Sequence, residues 1–253
     1  MSKFRSRRNA LLGAAISISA MLVVVGTVSA QRESRPSTSR VALCEASEKQ
    51  LFRITDAEVQ IGNENFDDFF VGSRGPDILI GYSGNDILIG NGGDDLICGG
   101  EDDDQLVGDG RSKGGAGGDD LIIGASGNDE LIGDNNGGSG AGGNDILRPG
   151  SGEDRSVGDN DGGGGTGGAD RIFDAQGNDL LIGDSVGSGG GADDILRAGT
   201  GDDEIRGQGG DDLLAGAQGS DALAGGPGDD ECDGGSGDGD TADAECETVV
   251  GVP

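Results

Sequence analysis

The feature that most constrains this chain is a nine-residue period that runs through most of its length. From residue 72 the sequence reads GSRGPDILI, GYSGNDILI, GNGGDDLIC and GGEDDDQLV, and eleven further units follow up to residue 233. The fourth position is Gly in thirteen of the fifteen units, the sixth is Asp in all fifteen, and the eighth is Leu or Ile in thirteen. A fixed short period of this kind predicts stacked structural repeats, because one unit alone cannot bury its apolar side chain.

Composition alone favours a different interpretation, that of a disordered acidic chain. The 253 residues include 56 Gly and only 3% aromatic residues, and the formal net charge is −31. Chains with few bulky residues and a large charge of one sign are often disordered. Three positions held in phase over fifteen units argue against disorder, because low-complexity sequence does not keep a register.

The unit has the form G-G-x-G-x-D-x-U-x, where U is a large aliphatic residue, and it resembles the calcium-binding repeat of RTX (hemolysin-type) proteins. The resemblance covers residues 72–233. It implies an all-β fold, a parallel β-roll (right-handed β-solenoid) in which the first six residues of each unit form a turn that binds Ca²⁺ and the last three form a short strand. It also implies multiple Ca²⁺ ions as the cofactor. The metal ligands that it implies are the sixth-position aspartates Asp77, Asp86, Asp95, Asp104, Asp120, Asp129, Asp145, Asp154, Asp170, Asp179, Asp194, Asp203, Asp212, Asp221 and Asp230.

The residue types fit this picture on physical grounds. Glycine allows positive φ and the close approach of successive coils, and carboxylates with turn carbonyls supply the six or more oxygens that Ca²⁺ takes. On a three-residue strand the eighth position faces inward, so each unit offers one dependable core residue. That core is too small to fold the chain alone. We therefore predict that the metal-free chain is largely unfolded and that calcium binding and folding are one process.

Four insertions interrupt the period, at residues 108–114, 133–139, 158–164 and 183–188. The segments that begin at 108, 133, 158 and 183 each open with Gly-Asp, at intervals of 25 residues. All four precede odd-numbered units, so in a roll with two turns per coil we expect Asp109, Asp134, Asp159 and Asp184 in one row on one edge. Two interpretations stay open for that row: solvated turns copied with a 25-residue block, or an additional row of cation sites or a ligand-facing edge.

The first thirty residues have the pattern of a secretory signal peptide. Four basic residues stand within the first eight positions, an apolar run follows over residues 10–28, and Val28-Ser29-Ala30 fits a signal-peptidase site. We predict cleavage near Ala30 and a secreted, extracellular protein that begins near Gln31, with a membrane anchor as the alternative. Two adjacent arginines leave both Sec and twin-arginine export open.

Without residues 1–30 the chain is still more acidic. Four of the 17 Lys and Arg lie in that segment and none of the 48 Asp and Glu does, which leaves 13 positive against 48 negative groups, or −35. A charge of this sign and size predicts calcium ions as partners and argues against nucleic acid and anionic membrane surfaces.

The segments before the repeats have separate predictions. Residues 31–40 are predicted to be a flexible linker and residues 41–71 an N-terminal β cap, since the open end of a solenoid exposes its core and a strand edge. Within the cap, residues 59–61 are strand-like, and residues 63–71 form a degenerate repeat with Asp68 at the sixth position and Phe70 at the eighth.

Four cysteines in an exported chain predict two disulfides, which can pair in three ways. Cys232 and Cys246 flank a short Gly/Asp loop and are the favoured pair, which makes residues 234–253 a disulfide-stapled tail. Cys44 and Cys98 then tie the cap to the third repeat. A cysteine metal site is not expected, because the sequence has no CxxC spacing and no His.

The sequence predicts a calcium-binding protein rather than an enzyme. It has no His for a zinc protease and no GxSxG nucleophile elbow in a strand-turn-helix context. Two alternatives stay open. One is a surface-adhesion or ligand-display protein that presents an unidentified extracellular ligand on the stacked-loop edge, and the other is a noncatalytic accessory module of a secreted enzyme system.

Overall fold

The structure is a computed structural model that describes residues 58–110, 117–134, 141–159, 166–184 and 191–252. These ranges contain nineteen β-strands and no helix. None of the described residues belongs to a helix of the length and apolarity that crossing a membrane requires. The predicted signal peptide, the linker and the first part of the cap lie outside the described residues.

The strands form two parallel sheets, and consecutive strands alternate between them. The ten-stranded sheet contains β1 (Glu58–Ile61), β3 (Asp77–Ser83), β5 (Leu96–Glu101), β7 (Leu121–Ser126), β9 (Ile146–Ser151), β11 (Arg171–Phe173), β13 (Ile195–Thr200), β15 (Leu213–Gln218), β17 (Asp230–Ser236) and β19 (Cys246–Val250). The nine-stranded sheet contains β2 (Phe69–Val71), β4 (Ile87–Ile89), β6 (Gln105–Asp109), β8 (Glu130–Asp134), β10 (Arg155–Asp159), β12 (Leu180–Asp184), β14 (Glu204–Arg206), β16 (Ala222–Ala224) and β18 (Thr241–Ala242). This arrangement confirms the predicted parallel β-roll.

The register shows that two nine-residue units make one coil. Ile78 on β3 pairs with Leu96 on β5, 18 residues later. Leu96 pairs in turn with Leu121 on β7, 25 residues later, because that coil contains an insertion. The insertion therefore lengthens the interval between paired strands, and the pairing of the strands themselves stays in phase.

The main core lies between the two sheets and is built from the eighth position of each unit. Side chains alternate across a strand, so residues at the seventh and ninth positions face away from this core. Thirteen Leu and Ile residues stand at the eighth position, and each is at most 3% exposed. They are Leu79, Leu88, Ile97, Leu106, Ile122, Leu131, Leu147, Ile172, Leu181, Leu196, Ile205, Leu214 and Leu223. The two exceptions, Ser156 and Cys232, are buried in the same layer.

A second apolar cluster lies on the outer face of the ten-stranded sheet, which the repeat pattern did not predict. Leu96, Cys98, Leu121 and Ile123 are all buried there, at the seventh and ninth positions of β5 and β7. Cys98 is disulfide-bonded. Its predicted partner, Cys44, lies outside the described residues.

The described part of the predicted cap continues the roll. Strand β1 includes the strand-like residues 59–61, and β2 begins the nine-stranded sheet. Phe70 packs against the main core. Asp68 donates its N–H to Asp86 Oδ1 at 2.7 Å. The degenerate repeat at 63–71 is thus a repeat in structure, whereas the capping role of residues 41–71 stays a prediction.

The C-terminal end also extends both sheets. Strand β18 pairs with β16, and β19 pairs with β17. The predicted bond between Cys232 and Cys246 is present, with an S–S distance of 2.03 Å. It joins β17 to β19 and so fastens the last strand of the ten-stranded sheet to its neighbour.

Candidate metal sites

The fifteen sixth-position aspartates stand at the point where each turn meets its strand, and all are buried. None is more than 3% exposed. The carboxylate of each later coil accepts a backbone hydrogen bond from the coil before it: Asp120 donates its N–H to Asp145 Oδ1 at 2.8 Å, and Asp129 donates to Asp154 Oδ1 at 2.7 Å. These bonds arrange the aspartates in two rows, one along each edge of the roll.

We name the rows by the turns that they follow. The long-loop edge carries Asp77, Asp95, Asp120, Asp145, Asp170, Asp194, Asp212 and Asp230. The short-loop edge carries Asp86, Asp104, Asp129, Asp154, Asp179, Asp203 and Asp221. The structure thus brings all the predicted site residues together into two continuous rows.

The second oxygen of each of these carboxylates is buried and accepts no hydrogen bond from the described residues. This oxygen is Oδ2 in fourteen of the fifteen and Oδ1 in Asp77. A buried carboxylate oxygen without a donor is strongly unfavourable, because nothing replaces the water that it has lost. A bound cation satisfies such an oxygen directly.

The glycine that opens a unit, or the insertion before it, leaves space in front of this oxygen. A Cβ atom on Gly133 would stand 2.0 Å from Asp145 Oδ2 and 2.6 Å from the carbonyl oxygen of Gly158 in the next coil. A carboxylate oxygen and a backbone oxygen from adjacent coils therefore face the same side of this glycine. Oxygens of these two kinds are the ligands that Ca²⁺ takes.

Burial also makes the negative charge costly in the metal-free roll. Loss of hydration raises the pKa of Asp95 and of Asp104 to about 8, and neighbouring carboxylates add to this effect. The same causes raise the pKa of Asp194 to about 9 and hold that of Asp145 well above its ordinary value. Ionising these buried carboxylates is therefore unfavourable in the metal-free roll, and a bound cation compensates their charge.

The profile of the RTX calcium-binding nonapeptide repeat matches residues 64–97, 71–106, 114–136, 139–156, 164–185, 188–223 and 216–240. Together these matches cover more than half of the chain. The chain belongs to the RTX calcium-binding repeat family. RTX repeats bind Ca²⁺ in multiple sites, so calcium ions are partners of this roll. Comparison with curated proteins found no match.

Among the described residues of the RTX roll, four groups of three carboxylates stand out. In each group, one oxygen from every residue lies within 4.8 Å of the other two. The groups are Asp95, Asp109 and Asp120; Asp120, Asp134 and Asp145; Asp159, Asp170 and Asp184; and Asp154, Asp174 and Asp179. Three of the four include aspartates from the insertions, and all three of those groups lie on the long-loop edge.

The repeat analysis missed two buried or partly buried aspartates of the short-loop edge and its groups, Asp240 and Asp174. Asp240 is 3% exposed and accepts the N–H of Asp221 at 3.0 Å, so it continues the short-loop edge. It was missed because 19 residues rather than 18 separate it from Asp221. Asp174 takes the first position of its unit, where most units have Gly. An acidic residue at that position was the signal that could have revealed it.

Proposed function

We propose that this protein is exported and that Ca²⁺ binding to its turn aspartates folds the roll, with no catalytic activity of its own. The observation that carries the proposal is the set of fifteen buried carboxylates, each with one oxygen that accepts no hydrogen bond from the described residues. In this proposal all fifteen sixth-position aspartates are calcium ligands.

Charge and entropy support the coupling of binding to folding. The chain carries a formal net charge of −31, and stacking brings its aspartates into two close rows, so the metal-free roll repels itself. Ordering the backbone costs about 1–2 kcal/mol per residue, and the cost is highest for glycine, which is the commonest residue in the turns. Each Ca²⁺ ion removes two charges and joins successive turns, which offsets both costs.

The N-terminal sequence supports export, and the family supports a binding role. Residues 1–30 have the basic, apolar and small-residue segments of a secretory signal. RTX rolls are typically noncatalytic. The sequence has no His, which removes the side chain that most often serves as general acid or base near neutral pH.

Circular dichroism of protein recovered from the culture medium tests the proposal. Mass spectrometry is expected to show a chain that begins at Gln31. After dialysis against EDTA we expect a largely unfolded far-UV spectrum, and millimolar Ca²⁺ should convert it to a strand spectrum, whereas Mg²⁺ at the same concentration should not, since Mg²⁺ dehydrates reluctantly. Identical spectra in EDTA and in Ca²⁺ would show that folding does not depend on calcium.

A further inference from the structure

The insertion aspartates form a buried row of their own beside the long-loop edge. Asp109 pairs in register with Asp134, Asp134 with Asp159, and Asp159 with Asp184, on neighbouring strands β6, β8, β10 and β12. Their exposed fractions are 1%, 0%, 1% and 6% in that order. The row expected from the 25-residue spacing is thus present, and its side chains are buried. The burial of these four side chains does not fit the first interpretation, in which the row consists of solvated turns.

Backbone conformation explains why these aspartates are buried. Where strands of the same sheet are followed by no insertion, the second residue of the next unit is left-handed, as at Asn91 and Gln208, where φ is 86° and 85°. Asp109 and Asp134 hold the equivalent place after the first-position glycine, but they continue strands β6 and β8. A longer loop removes the need for a tight turn at this position, so the strand extends by two residues and carries the carboxylate inward.

In Asp109 and Asp134, one carboxylate oxygen accepts a backbone hydrogen bond and the other does not. Gly118 donates its N–H to Asp109 Oδ2 at 2.6 Å, and Gly143 donates to Asp134 Oδ2 in the same way. Oδ1 of Asp109 and of Asp134 is buried and accepts no hydrogen bond from the described residues. The bonded oxygen fixes the orientation of the carboxylate, and the other oxygen is left to bind a cation.

At the third position of two turns on this edge, glycine leaves room for a carboxylate of the insertion row. A Cβ atom on Gly117 would stand 1.7 Å from Asp134 Oδ2, and one on Gly142 would stand 2.0 Å from Asp159 Oδ2. On the short-loop edge the third position is never Gly and holds Ser83, Glu101, Ser126, Ser151, Gln176, Thr200 and Gln218. Gly117 and Gly142 therefore leave the space that an insertion aspartate of the next coil occupies.

The groups that these aspartates complete have the dimensions of a calcium site. Asp95, Asp109 and Asp120 each offer an oxygen within 4.8 Å of the other two, and Asp120, Asp134 and Asp145 do the same. Ca²⁺ binds oxygen at about 2.3–2.6 Å, so two ligands on opposite sides of one ion lie about 4.6–5.2 Å apart. Oδ2 of Asp95, Asp120 and Asp145 accepts no hydrogen bond from the described residues.

We propose that the insertion aspartates convert part of the long-loop edge into a row of three-carboxylate calcium sites, which hold Ca²⁺ more tightly than turns with one aspartate each. The inference rests on the proposed function and names a second class of site within it. Calcium affinity rises with the number of charged ligands and with the rigidity of the site. Here the number of buried carboxylates on the long-loop edge rises from one to two per coil, and backbone hydrogen bonds hold the added carboxylates of Asp109 and Asp134 in place.

Calcium counting on a double variant tests the proposal. In Asp109→Asn/Asp134→Asn, each amide oxygen still accepts the backbone hydrogen bond, but two of the four groups lose a charged ligand. Bound Ca²⁺ is measured by elemental analysis after equilibrium dialysis over a range of free Ca²⁺. We expect two ions to leave the tight class, with dissociation constants raised by about tenfold or more, while the strand spectrum at saturating Ca²⁺ is unchanged.

The matched control is Asp94→Asn/Asp119→Asn, which makes the same charge change at two exposed positions of the same edge. It should keep every ion of the tight class. Equal curves for the two double variants, or an equal shift in both, would refute the three-carboxylate sites. If the wild-type protein itself binds no Ca²⁺, the proposed function fails instead, so the two failures are distinct.

If the double variant does not fold at saturating Ca²⁺, the two single variants provide the test instead. The single variants Asp109→Asn and Asp134→Asn each alter one group at its insertion aspartate and leave the other groups intact. Each should lose one ion from the tight class. A single variant that folds and retains the full wild-type curve would overturn the proposal.

Discussion

Ser156 is a polar residue in an otherwise apolar core layer. It takes the eighth position of its unit and is 0% exposed. It pairs in register with Leu131 on one side and Leu181 on the other. Its Oγ accepts no hydrogen bond from the described residues. A buried hydroxyl without a partner is unfavourable, and Ser is smaller than the Leu residues beside it.

Replacing this residue by an apolar one should stabilise the roll. For Ser156→Val we expect the free energy of unfolding in saturating Ca²⁺ to rise by about 1–2 kcal/mol, because the hydroxyl is removed and apolar area is added to the core. Guanidinium denaturation in Ca²⁺ measures the change. Ser156→Ala separates the two effects, since it removes the hydroxyl without filling the space. A destabilised Val variant would show that the layer has no room there.

At the scale of the turn, the neighbouring coil leaves no room for a side chain at Gly133. The contacts that a Cβ on Gly133 would make, with Asp145 Oδ2 and the Gly158 carbonyl oxygen, are both shorter than 3 Å. The second of these is a backbone atom, so relief requires one coil to move away from the next.

We therefore expect Gly133→Ala to destabilise the calcium-loaded roll by about 1–3 kcal/mol, the range for overpacked interiors. It should also weaken Ca²⁺ binding, because the displaced oxygens are candidate ligands. The control is Gly75→Ala, whose Cβ would meet nothing nearer than Ser73 Oγ at 4.0 Å. Thermal unfolding in Ca²⁺ measures both variants, and similar losses in the two would contradict a role for close coil contact.

At the scale of the whole molecule, protons and calcium compete for the same rows of carboxylates. Burial raises the pKa of Asp95 to about 8, that of Asp129 to about 7 and that of Asp154 to about 6, from an ordinary value of 3.8. Between about pH 4 and pH 8 the metal-free roll thus binds more protons than the unfolded chain. Its stability is greatest at acid pH and is lost as the pH rises through this window.

Calcium-free protein should therefore gain strand structure when the pH is lowered from about 8 to about 5. In saturating Ca²⁺ the strand signal should persist at pH 8, because the ion takes the place of the protons. Far-UV circular dichroism in buffer treated with a chelating resin gives both signals. A calcium-free spectrum that does not change with pH, or that loses strand signal in acid, would contradict this competition.

Much of this molecule was predictable from the order of its residues. The resemblance that the nine-residue unit carries implied the parallel roll, and the aliphatic side chains at the eighth position predicted its inner core, from Leu79 to Leu223. Asp at the sixth position of every unit identified the residues that form the two rows, and the 25-residue spacing predicted the row from Asp109 to Asp184. Short repeats are predictable because each unit contacts mainly its neighbours in the stack.

Other features depended on distances that the repeat pattern does not contain. Asp240 joins the short-loop edge although its spacing breaks the period, and the outer cluster around Cys98 and Ile123 departs from the one-core-residue pattern. The sequence by itself determined the coil, the core layer and the rows of carboxylates. Only the tertiary structure decided that the insertion aspartates turn inward and meet the rows to form three-carboxylate groups. Each of these groups joins residues of separate coils. It depends on strand extension and on glycine contacts that appear only when the coils are stacked.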